Sequence, residues 1–158
     1  MMEIVLFHRH LLATIAYRFQ VAVRESPGDF DSFQAGKDVM TPRELVDHVG
    51  ALVWRSHQLL SAAMAGERPK PSTWDAAIDA VHAELKKLDD LFENQKVFDE
   101  QQLLTVLQGP LADALTHIGQ IATLRRLAGK PVARGNFMKA PIGAGKVARE
   151  QFIESLDQ

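Results

Sequence analysis

The stretch Pro110 to Lys130, "PLADALTHIGQIATLRRLAGK", places a carboxylate, Asp113, four residues before an imidazole, His117. On a helix, side chains four apart are neighbours, with about 5–6 Å between their Cβ atoms. That is the separation at which one cation can bind both. A third donor, His48, lies between Leu45 and Leu52 in "ELVDHVGALVWRSHQLL". If the two segments face each other, His48, Asp113 and His117 form a set of two imidazoles and one carboxylate, suited to a divalent ion in the core of a helical bundle. The bland alternative is a local Asp–His contact on a helix flank, with His48 a satisfied core residue. A metal-free catalytic dyad is disfavoured, because no Ser or Thr nucleophile is placed with the pair.

These residues need helices to position them, and the sequence supplies four. Residues 3–24 have Leu11, Leu12, Ile15, Phe19 and Ala22 as an inner face. "ESPGDFDSFQAGKDVM" breaks the pattern as a loop. Thr41, Pro42 and Glu44 then have the spacing of an N-cap, a first-turn proline and a capping box. The second helix runs from there to about Ala65, with Leu45, Val49, Leu52, Val53, Leu59, Leu60 and Ala63 at helical spacing. After the linker "GERPKPS", Ser72 or Thr73 caps a third helix striped by Ala76, Ile78, Val81, Leu85, Leu88 and Leu91. A fourth spans about Asp99 to Ala128. Pro110 is expected to kink it, and Gly129 and Pro131 to end it. Its wheel groups Leu103, Leu107, Ala114, Ile118 and Ile121, with His117 at the edge and Asp113 one step further round. Leu52, Leu85, Leu107, Ile118 and Phe19 are expected to be buried. A short helix from about Lys146 is expected in the tail. The prediction is an all-α four-helix bundle, one domain over residues 1–158, with a short C-terminal segment; the linker before the third helix suits a hairpin or a crossover.

Composition sets limits. Hydrophobic residues make up 46% of the chain and charged residues 24%, as in ordinary globular proteins. The absence of cysteine removes disulfides, thiolate metal sites and a cysteine nucleophile. A net charge of −2 and a pI near 6.3 argue against nucleic-acid binding. No apolar run is long enough for a membrane span, and the N-terminus lacks the form of a signal peptide, so the expected location is the cytoplasm.

Taken together, "ELVDHVGALVWRSHQLL" and "DALTHIGQIATLRRLAGKPV" resemble the DinB/YfiT-like metalloenzyme superfamily, and the H-x-G-Q-I segment is the most specific part of the likeness. The resemblance covers nearly the whole chain. It implies an up-down-down-up bundle, a homodimer, and a divalent ion, nickel or zinc foremost, with iron or manganese as alternatives. The family's three histidine ligands fall by position on His48, Asp113 and His117, so Asp stands here where a histidine is usual. Asp113 is then either the third ligand or a hydrogen-bond acceptor that orients His117 or a water. The implied activities are transfer to or from a low-molecular-weight thiol, or hydrolysis, acting on a small-molecule substrate. The competing readings are a non-catalytic metal-binding stress or interaction protein, and a structural bundle without metal.

The remaining candidates are weaker. His57 with His8 or His10 forms a second conceivable metal cluster. His82, among charges, is expected to be solvated, and Trp54 and Trp74 to be packing residues. Arg125 is expected near the core side, pairing with Asp47 or Glu44 or with an anionic ligand. "GAGK" at 143–146 lacks the spacing and context of a phosphate loop.

Overall fold

The computed structural model describes residues 2–61, 66–95, 97–151 and 153. Four long helical runs make up the bundle among these residues, and there is no strand. Helix α1 is Met2–Val23, α2 Pro42–Leu60 and α3 Trp74–Asn94. The fourth run is composite: α4 (Glu100–Val106), a π-helical turn (Leu107–Leu111) and α5 (Ala112–Leu127). No helix among the described residues is long and apolar enough to cross a membrane.

Local chemistry sets the helix starts. Thr41 Oγ1 accepts from the Glu44 N–H, and the Glu44 carboxylate accepts from the Thr41 N–H at 2.7 Å, a complete capping box with Pro42 in the first turn. Thr73, rather than Ser72, caps α3 by accepting from Ala76 N–H. Helix α2 ends at Leu60, short of the expected Ala65; residues 62–65 lie outside the described residues. Residues 146–151, where the sequence predicts the start of a helix, are irregular, and the rest of that expected helix lies almost wholly outside the described residues.

Helix α1 packs on α3 and α5, and α2 packs on the same two helices from the other side. The core between them includes Phe19, Val49, Leu85, Leu103, Leu111, Ile118 and Ile121. Of the five residues expected inside, Phe19, Leu85 and Ile118 are buried, whereas Leu52 and Leu107 are only partly so. The fourth run explains Leu107. Its buried positions step from Val106 to Leu111, five residues, before resuming at Ala114, Ile118 and Ile121. An extra residue in a helix rotates everything after it by about 100°, and a π-turn absorbs that residue. Pro110 lies in this turn, where its missing N–H removes one α-helical bond. The expected kink is therefore a widened turn that carries Leu111 into the core and swings Leu107 toward the edge.

Ionic and polar clamps join α1 to α3. Arg9 holds Asp89 through Nε at 2.8 Å and Nη2 at 3.0 Å. His82 is not solvated as expected: it is 5% exposed and faces α1 beside Phe19. The stripe Ile78, His82, Leu85, Asp89 turns toward α1, so the polar members are buried with partners there. His82 Nδ1–H donates to the Val147 carbonyl at 2.8 Å, and Nε2 accepts from the Gln20 amide at 2.9 Å. This arrangement uses the neutral imidazole and fastens the irregular C-terminal segment, whose Arg149 also binds Asp75 and Asp79 on α3.

Burial pushes the His82 pKa down from the ordinary 6.5, opposed by the bond to Val147 and reinforced by the charge of Arg149. The unfolded chain then binds a proton that the folded chain refuses. Stability from this group is complete above pH 6.5 and declines as pH falls through the lower folded value. Urea midpoints measured from pH 7.5 to 4.5 are expected to fall more steeply for the parent than for His82→Asn. Parallel pH profiles would contradict the account.

Candidate metal centre

His48 sits two turns into α2, on the edge of the stripe formed by Leu45, Val49 and Val53, so its ring is half in and half out of the bundle. The π-turn sets the phase of α5 so that Ala114, Ile118 and Ile121 enter the core. Asp113 and His117 then fall on the flank of α5 that meets α2. The structure brings the three residues together. One donor atom from each of His48, Asp113 and His117 lies within 4.8 Å of the other two, and this is the one such group of metal-donor side chains among the described residues.

The geometry is specific at each atom. His117 Nε2 is 3.3 Å from Asp113 Oδ1, and His48 Nε2 is 3.8 Å from Asp113 Oδ2. The two imidazoles meet edge to face, with ring centres 4.7 Å apart at 84°. In a tetrahedral zinc set with bonds of about 2.0–2.1 Å, donors stand about 3.3–3.4 Å apart. The His117 Nε2–Asp113 Oδ1 spacing meets that figure, whereas His48 Nε2 stands 3.8 Å from the other carboxylate oxygen, Oδ2. The donor set is chemically suited to a divalent ion, with the Asp113 carboxylate turning to offer one oxygen to the ion or bridging with both. The His117 side chain is 15% exposed, against 42% for His48 and 47% for Asp113, so the cluster has an inner wall and an open outer side.

Gln120 completes the cluster, and the sequence reading did not single it out. His117 Nδ1–H donates to Gln120 Oε1 at 2.8 Å, which fixes the ring with Nε2 facing Asp113 Oδ1 at 3.3 Å. A ligating histidine characteristically has its second nitrogen held in this way. The signal was present as the i, i+3 spacing of "HIGQ", since residues three apart share a helix face.

Two grooves flank the cluster along the α2–α5 seam. One, of about 460 Å³, is lined by Leu52, Arg55, Pro110, Asp113 and Thr116. The other, of about 520 Å³, runs from His117 and Gln120 past Leu45 to Leu124 and Leu127, with Val39 and Met40 on its far wall.

The other expected sites are corrected by their surroundings. His8 is buried with Nδ1 against Ile4 O at 2.8 Å and Nε2 against Leu103 O at 3.2 Å, so neither nitrogen is available to share an ion with His57 or His10. Arg125 pairs with neither Asp47 nor Glu44, which are engaged by Arg43 and Thr41. Its buried guanidinium instead donates to the carbonyls of Ala22, Arg24 and Lys130. Trp74 packs against Phe30, and its Nε1–H donates to Ser26 Oγ.

No family model matches the chain, and neither a curated protein nor a solved structure does so.

Proposed function

We propose that the chain holds one divalent ion through His48, Asp113 and His117 and works as a metal-dependent enzyme of the DinB-like kind. The observation that carries this reading is the convergence of three donor atoms from two helices within 4.8 Å, with an open outer side. The pairings along the bundle support the up-down-down-up order of that superfamily. Arg9–Asp89 and Gln20–His82 set α1 and α3 antiparallel, while His8–Leu103 and Ala22–Arg125 set α1 along the fourth run. Val46, Gly50, Ala77 and Val81 line one small cavity, as parallel α2 and α3 require. The Arg43 guanidinium bonds to the Pro71 carbonyl, as a crossover returning along α2 requires.

A bound divalent ion supplies Lewis-acid polarisation of a substrate oxygen or lowers the proton affinity of a coordinated thiol or water. The chain's residues provide the rest. Gln120 fixes the His117 ring, and Asp113 stands between the two Nε2 atoms, the position of a donor to a shared ion. The task of orienting His117 through its second nitrogen falls to Gln120, which favours Asp113 as a direct ligand. The apolar groove reaching His117 favours an open, substrate-processing site over a closed storage site, with thiol transfer and hydrolysis as the reaction classes. A homodimer is the proposed assembly, carried by the resemblance alone.

The Asp113 series tests the ligand set. Asp113→Ala is expected to weaken zinc and nickel binding at least about 100-fold. Asp113→His is expected to restore binding or exceed the parent for both metals, because imidazole is the better ligand for them. Calorimetric titration of metal-free protein reads both. Equal affinities across the series would remove Asp113 from the site.

A further inference from the structure

Resting on the metal reading above, we infer that the site takes a small molecule with an uncharged apolar arm, aliphatic or aryl, lying in the groove between the 35–40 loop and the second half of α5, its polar head at His48, Asp113 and His117. The groove is continuous with the cluster, because His117 and Gln120 line both. Its floor is Leu45 and Leu124, and its rim is Val39, Met40 and Leu127, which are 42%, 39% and 62% exposed. Exposed apolar side chains gathered on one concavity mark a ligand or partner surface. On α5, His117, Gln120, Leu124 and Leu127 follow one another at i, i+3, i+7 and i+10, a single stripe leading away from the cluster. From His117 to Leu124 this stripe covers about 10 Å, the length of an octyl chain.

The charge pattern sets the polarity of the arm. Among the described residues no lysine or arginine lines the groove, and the one carboxylate there is Asp38, so an anionic arm is disfavoured. The wall is also held in place. Gln34 Nε2 donates to the carbonyls of Gly36 and Val39, both at 3.0 Å, and Asp38 adopts φ 61°, a left-handed conformation in which a non-glycine residue is sustained by its surroundings.

The test compares octanohydroxamic acid with acetohydroxamic acid on zinc-loaded protein by calorimetry, since the two share a metal-binding head and differ by six methylenes. Octanohydroxamate is expected to bind at least about tenfold tighter. Leu127→Glu and Val39→Ser, both at exposed positions, are expected to erase most of that preference while leaving acetohydroxamate and zinc affinities unchanged. The neutral dye N-phenyl-1-naphthylamine gives a second readout without metal: its fluorescence is expected to rise on metal-free parent protein, to be displaced by octan-1-ol, and to be lost in Leu127→Glu. Zinc binding with equal hydroxamate affinities and no dye signal would overturn the groove assignment. Dye binding without any zinc binding would overturn the proposal through its metal half instead. Self-association abolished by Leu127→Glu, with no probe bound, would overturn it in favour of a second copy of the chain in the groove.

Discussion

His117→Ala is expected to lower the affinity of the protein for zinc or nickel by at least about 100-fold, and His48→Ala to do the same, because each removes one of the three donors that meet there among the described residues. The effect should be local. His117 lies beside the core without belonging to its tightly packed interior, and His48 is half exposed, so the thermal midpoint of the metal-free variants should stay close to that of the parent. Gln120→Leu is expected to have an intermediate effect, about 10- to 100-fold, because it leaves all three donors in place and removes only the bond that holds the His117 ring. Titration calorimetry on metal-free protein separates the two sizes of effect. Variants that bind as tightly as the parent would show that the three residues meet without sharing an ion.

The second large effect is on stability and is expected at Arg125. Arg125 is 5% exposed, and its guanidinium holds three carbonyls, Ala22 O at 3.1 Å, Arg24 O at 2.9 Å and Lys130 O at 2.9 Å. Ala22 O belongs to the last turn of α1, where a helix leaves carbonyls without intrahelical partners and its dipole favours a cation, and Arg24 O and Lys130 O lie in the turns just beyond α1 and α5. Arg125→Ala removes the donor and leaves the acceptors in place, at a cost of about 3 kcal/mol given charged hydrogen bonds of about 1.5–3 kcal/mol that do not add fully. For a chain of this size that corresponds to about 6–12 °C in Tm. Arg125→Lys keeps the charge but loses the planar fork that spans separate carbonyls, and is expected to recover less than half of the loss. Zinc affinity should be unchanged in both. A Tm within about 2 °C of the parent for Arg125→Ala would show that water replaces the guanidinium at little cost.

The sequence made some of this legible because the governing interactions are local. The start of α2 follows from Thr41, Pro42 and Glu44 alone, and with it the position of His48 on the helix. Asp113 and His117 are neighbours by helical spacing, so their pairing needs no tertiary information. What escaped depends on partners distant in the chain or on broken periodicity. His82 looks solvated among the charges of α3, yet Gln20 and Val147, remote in sequence, make its burial tolerable. The partners of Arg125 are backbone carbonyls at the end of another helix, which have no sequence signature, so a carboxylate is the partner the sequence suggests. A 3.6-residue wheel extended through Pro110 puts Leu107 inside, whereas the five-residue step from Val106 to Leu111 marks the π-turn that moves it to the edge. That turn matters for the site, because it sets which flank of α5 carries Asp113 and His117.

The central claim is that His48, Asp113 and His117 share one divalent ion, and elemental analysis of protein purified without a histidine tag tests it most directly. The account expects close to one equivalent of zinc, nickel or another divalent metal per chain in the parent, and a small fraction of that in the His48→Ala, His117→Ala double variant purified alongside. Metal absent from the parent even after incubation with excess zinc and desalting, or retained in full by the double variant, would contradict it.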